Sequence, residues 1–94
     1  MVCYCYMVST VGFDMCIHHG IHKTYDGALR KWNMIRLLEL SRYQEYMNAE
    51  TNDSMWKEYV DIYSADTVEE FNNRLAKYPG GMDVVSIYKC ILED

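Results

Sequence analysis

Residues 2–9, VCYCYMVS, are rich in aromatic and other β-favouring side chains and predict a strand. A turn at TVG follows, with Gly12 expected at positive φ. Residues 13–22, FDMCIHHGIH, alternate: Phe13, Met15, Ile17, His19 and Ile21 share one side, Asp14, Cys16, His18 and His22 the other. That is a half-buried second strand of a hairpin, with Gly20 marking a bulge. The period then changes. With Thr24 as N-cap and Asp26 in the first turn, Tyr25, Ala28, Leu29, Trp32, Ile35, Tyr43, Tyr46 and Met47 gather on one side of a helix over 25–48. NAETND forms the loop that ends it.

In the second half, KEYVDIYS (57–64) sets Val60 and Ile62 against Asp61 and predicts a strand. A helix follows, capped at Asp66 or Thr67, with Thr67 and Glu70 at capping-box spacing. Its stripe is Val68, Phe71, Leu75 and Tyr78, and Pro79, Gly80 and Gly81 stop it. MDVVSIYKCILE, apolar on both faces, predicts a last strand at the centre of the sheet. The order β-β-α-β-α-β predicts one α+β domain over 1–94. It would be a two-layer sandwich whose four-stranded mixed sheet, with a parallel pair, carries both helices on one face.

One feature of the first helix departs from a simple core. Met34, Leu37 and Leu38 lie opposite the Trp32/Ile35 stripe, while Arg36 and Glu39 lie within it at ion-pair spacing. A helix laid on a sheet by one face should be polar outside. Three coverings would account for the second apolar side: the 49–56 loop with Met55 and Trp56, a second copy of the chain, or a different protein.

Composition sharpens this picture. Half the residues are apolar, which excludes disorder, and nine tyrosines suit a contact surface as well as half-buried strands. Net charge is −5, and it is concentrated beyond residue 48, with no basic run anywhere. Direct nucleic-acid binding therefore lacks its electrostatic footprint. The carboxylates Asp61, Asp66, Glu69 and Glu70 would instead face a basic partner. No secretory signal or membrane-spanning run is recognisable, so the reading is a cytoplasmic protein with reduced thiols.

Candidate chemistry concentrates near the hairpin. If the turn paired Ser9 with Gly12, Cys5 would oppose Cys16 and Cys3 would oppose His18, a Cys3, Cys5, Cys16, His18 set that zinc accepts. A one-residue slip dissolves the cluster, and C-x-C along a strand spreads its sulfurs, so a thiol-rich strand face is the preferred reading. Phosphate-loop, dinucleotide and H-E-x-x-H motifs are absent. Cys16 and His18 lack a third group to orient the base, and the adjacent Glu69 and Glu70 diverge, so no enzyme and no cofactor is expected.

The leading expectation is a non-catalytic inhibitor or modulator, homodimeric, with the small, acidic, motif-free character of phage- or mobile-element-encoded proteins. It would act by occupying a host protein or complex, such as a nucleic-acid-targeting defence system. Met34, Leu37 and Leu38 would serve association. The alternative is a small-ligand, nucleotide-binding protein with its site at a subunit junction, using His18, His19, His22 and Lys23.

Overall fold

The computed structural model describes residues 2–12, 15–49, 54–78 and 83–93. Phe13, Asp14, the 50–53 loop and the 79–81 helix stop fall outside the described residues. The elements run β1 (Val2–Val11), β2 (Cys16–His22), α1 (Tyr25–Ala49), α2 (Ser54–Tyr63), α3 (Val68–Leu75) and β3 (Val84–Glu93). The class is α+β, with a three-stranded sheet of order β2-β1-β3 and every pairing antiparallel. Contacts gather into two compact units, residues 1–35 with 81–94, and residues 36–80.

In the first unit the hairpin closes where Gly12 N donates to Met15 O at 2.8 Å. The β1–β2 register runs Val8↔Gly20, then Ser9↔His18, leaving His19 as the extra residue of a bulge. Gly20 has φ +153°, a region that favours glycine, and it is the only described residue with positive φ. The bulge is thus where the sequence placed it, whereas Gly12 does not take the positive φ expected of it. Tyr6, Val8 and Val85 lie on the face that meets the start of α1, by the alternation along each strand. There Tyr25 packs edge-on to Tyr6 at 5.7 Å between ring centres, and Trp32 Nε1 donates to Val85 O at 3.1 Å. Thr24 caps α1: its Oγ1 accepts from Gly27 N at 3.1 Å. Val8, Ala28, Trp32 and Val85 are fully buried.

Among the described residues β3 is an edge strand paired with β1 alone, so the central position expected for it belongs to β1. An apolar strand needs cover on both faces, but that cover need not come from strands on both sides.

The second unit overturns the strand expected at 57–64. Residues 57–63 lie in α2, where Tyr59, Ile62 and Tyr63 are buried. Val60 and Ile62 fit alternation over a few residues, but positions 59, 62 and 63 fit the 3.6-residue period over a longer span, and the longer pattern buries more. With that strand gone the parallel pair disappears, and the mixed four-stranded sheet with two helices becomes an antiparallel three-stranded sheet with three helices.

α2 ends without a glycine, and its last four carbonyls, orphans of any helix end, are all met. Ser64 N donates to Val60 O at 3.0 Å and Ala65 N to Ile62 O at 3.2 Å. Arg74 Nη1 donates to Asp61 O at 2.8 Å, and Arg36 Nη1 to Tyr63 O at 2.7 Å. Cations at a helix C-terminus are also favoured by its dipole. An aromatic cluster fills the unit: Tyr43 lies against Trp56, Tyr59 and Tyr63, and Tyr63 meets Phe71 edge-on at 5.0 Å. α3 begins at the predicted cap, where Thr67 Oγ1 accepts from Glu70 N at 3.1 Å.

Candidate functional site

The three apolar residues singled out on α1 are exposed: Met34 47%, Leu37 48% and Leu38 62%. Of the 49–56 loop, the first of the three coverings considered, residues 50–53 lie outside the described residues. Trp56 belongs to α2, stacks with Tyr43 and lies tilted against Tyr46, and Met55 is itself exposed. Arg36, expected to pair with Glu39, is instead buried with its guanidinium on the Tyr63 carbonyl, and Glu39 pairs with Arg42. A long flexible guanidinium reaches a helix-end carbonyl that a shorter side chain could not, which is why an arginine sits inside an apolar stripe.

Helical spacing adds neighbours to this face. At 100° per residue, Arg30, Ser41 and Glu45 fall between the directions of Leu37 and Leu38, as Met34 does. All three are exposed. Arg30 precedes Leu37 by seven residues and Glu45 follows Leu38 by seven (37 − 30 = 45 − 38 = 7).

The acidic candidates divide. Asp61 and Glu70 are engaged within the second unit: Tyr78 Oη donates to Asp61 Oδ2 at 2.7 Å, and Arg74 Nε donates to Glu70 Oε1 at 3.1 Å. Asp66 and Glu69 are exposed. The Tyr78 phenol is raised by its bond to the Asp61 carboxylate, with burial adding to it.

The cysteine–histidine set is not assembled. The register places Cys16 opposite Val11 and His18 opposite Ser9, while Cys5 lies opposite Cys90 on the other neighbour. The Cys3 side chain lies outside the described set. Among the described residues no group of three or more His, Cys, Asp or Glu is placed to hold a metal ion. The turn spans Gly12–Met15 rather than closing at Gly12, and that shift moves every cross-strand partner.

Of the four residues proposed for a small ligand, two histidines are already bonded within the sheet: His18 Nδ1 to Ser9 Oγ at 2.8 Å and His19 Nε2 to Thr10 Oγ1 at 2.6 Å. Lys23 is exposed. His22 lines an open pocket of about 340 Å³ with Gly27, Arg30, Lys31 and Met34. Its Nε2 is buried and has no hydrogen-bond partner among the described residues. Arg30 and Lys31 were not anticipated there. About two turns of helix separate them from Thr24, and only the bend between β2 and α1 brings them to His22.

No described helix is long and apolar enough to cross a membrane. Comparison with protein-family models, with curated proteins and with solved structures returns no match, so the reading of function rests on the chain's own chemistry.

Proposed function

We propose that the chain is a non-catalytic binding protein that pairs with a second copy through α1 and, as that pair, modulates a host protein by occupying it. The observation that carries this reading is the exposure of Leu37 and Leu38 in the middle of a 25-residue helix. Contiguous apolar surface of this kind marks an association site.

The occupant is argued from the charge pattern. In an antiparallel two-fold pair centred between Leu37 and Leu38, residue i faces residue 75 − i of the other copy. Leu37 then meets Leu38, Met34 meets Ser41, and Arg30 meets Glu45, twice over by symmetry. A parallel pairing would instead set Arg30 against Arg30. The exposed Asp66 and Glu69, on a chain of net charge −5, favour a host partner with a basic surface.

Sedimentation equilibrium tests the pairing. The wild-type chain is expected at twice its 11.1 kDa mass and Leu37→Glu/Leu38→Glu at the single mass, with an unchanged circular dichroism spectrum. A wild-type monomer at micromolar concentration overturns the reading.

The pocket at His22, Arg30 and Lys31 favours a second reading, binding of a small anion such as a nucleotide. A thermal shift with a nucleotide panel that is lost in Arg30→Ala/Lys31→Ala supports it. No shift with any nucleotide removes it.

A further inference from the structure

β1 and β3 run antiparallel with Cys5 and Cys90 directly opposed. Opposed residues in such a ladder have Cα atoms about 4.5 or 5.5 Å apart, according to their place in the hydrogen-bond pattern. Both spacings lie inside the range that a disulfide bridges without backbone movement. Opposed side chains also leave the sheet on the same face, and these two project from the face opposite the one that meets Tyr25 and Trp32. Cys5 and Cys90 are both free thiols; Cys5 is buried and Cys90 half-buried.

We infer that Cys5 and Cys90 form a reactive dithiol whose substrate is a small disulfide, of which oxidised glutathione is the type, and that it closes into a bond joining β1 to β3. Access sets the order of events. Cys90, the more exposed, attacks as thiolate on one glutathione sulfur, forming a mixed disulfide and expelling one glutathione thiolate. The Cys5 thiolate then attacks the Cys90 sulfur, forming the internal bond and expelling the second glutathione. The two protons lost by the cysteines end on the two glutathione thiols, and the two electrons reduce the glutathione disulfide. Burial, and after it the neighbouring Cys90, push the Cys5 thiol up, so the second step relies on the proximity of an intramolecular attack to offset a low thiolate fraction.

Cys16 is a useful internal contrast. It is exposed and free, but it lies opposite Val11 and has no thiol across the ladder. It should take up glutathione and stop there.

The test incubates the reduced, folded chain with mixtures of oxidised and reduced glutathione, blocks remaining thiols, digests with trypsin and reads the masses. Cleavage after Lys23 and Lys89 leaves Cys3, Cys5 and Cys16 in residues 1–23 and Cys90 in residues 90–94. The expected product is a cross-link between these two peptides, with fragmentation between residues 3 and 5 and between residues 5 and 16 placing the bond on Cys5. Cys3→Ser and Cys16→Ser keep the cross-link, and Cys5→Ser leaves Cys90 as its glutathione adduct. The closed form should also melt several degrees higher than the reduced form. A bond placed on Cys3 or Cys16, a glutathione adduct at Cys90 in the wild type without closure, or no reaction at Cys90 overturns the inference. Bond placement in the wild type decides the matter even if the Cys5 variant does not fold.

Discussion

Arg36 reaches the end of α2 through Tyr63: the buried guanidinium donates from Nη1 to the Tyr63 carbonyl oxygen at 2.7 Å. The acceptor is the last carbonyl of α2, so a residue on α1 terminates a helix that has no glycine to do so. Burial lowers the Arg36 pKa, and the carboxylate of Asp66 opposes that shift. Arg36→Met should therefore cost about 2–3 kcal/mol, because it removes a charged donor and leaves a helix-end carbonyl poorly satisfied. Urea unfolding checks this. A loss under about 0.5 kcal/mol would show that the bond contributes nothing beyond an ordinary surface contact.

Alkaline pH should destabilise the protein from the free-tyrosine range upward. Burial raises the Tyr43 phenol, and Glu39 adds to it; the Tyr78 phenol is raised by Asp61. A group raised in the folded state binds its proton more tightly there than in the unfolded chain. Its contribution is complete below the unfolded value, about 10 for tyrosine, and is lost as pH rises from there toward the folded value. Stability measured by urea midpoint should fall steeply above about pH 10, and Tyr43→Phe should flatten that fall. An equally steep fall in the phenylalanine variant would assign the loss elsewhere.

Gly20 cannot be replaced cheaply. At φ +153° any side chain is strained, and a Cβ there would lie 3.2 Å from His22 Nε2. Gly20→Ala is expected to cost about 1–2 kcal/mol. For a chain of this length that lowers the thermal midpoint by roughly 4–16 °C. An unchanged midpoint would mean that the bulge relaxes away.

Reversing charges on α1 separates the antiparallel pairing from other modes of association. Arg30→Glu should weaken the dimer, since it sets like charges opposite Glu45, and Arg30→Glu/Glu45→Arg should restore it to within about threefold, the change corresponding to roughly 0.7 kcal/mol. Dissociation constants by analytical ultracentrifugation read this directly. Failure of the double variant to recover would refute the register while leaving the Leu37/Leu38 contact standing.

What was legible in the sequence was local. Thr24 and Thr67 cap their helices as their spacing predicted, and Gly20 marks its bulge, because each depends on neighbours within a few residues. The exposure of Leu37 and Leu38 was legible too, since helical phase alone puts them away from Trp32 and Ile35. The α2 segment was not. Two of its last four carbonyls are met by Arg36 and Arg74, which lie outside the helix in sequence, and no local pattern announces them. The hairpin register and the pairing of Cys5 with Cys90 were hidden for the same reason: each follows from turn geometry and sheet order, which side-chain alternation leaves undetermined.

The placement of β1 between β2 and β3 has a kinetic corollary. β1 finds β2 across a short turn, a local event on the microsecond scale. Its other partner is β3, more than seventy residues onward, and that second zipping must close a very long loop first. Emerging from a ribosome, the chain would hold one side of its innermost strand unpaired until β3 arrived, an interval in which a bare row of amides and carbonyls invites wrong partners. Shortening or tagging the 84–93 stretch should therefore harm yield in the cell far more than it harms the melting point of whatever folds.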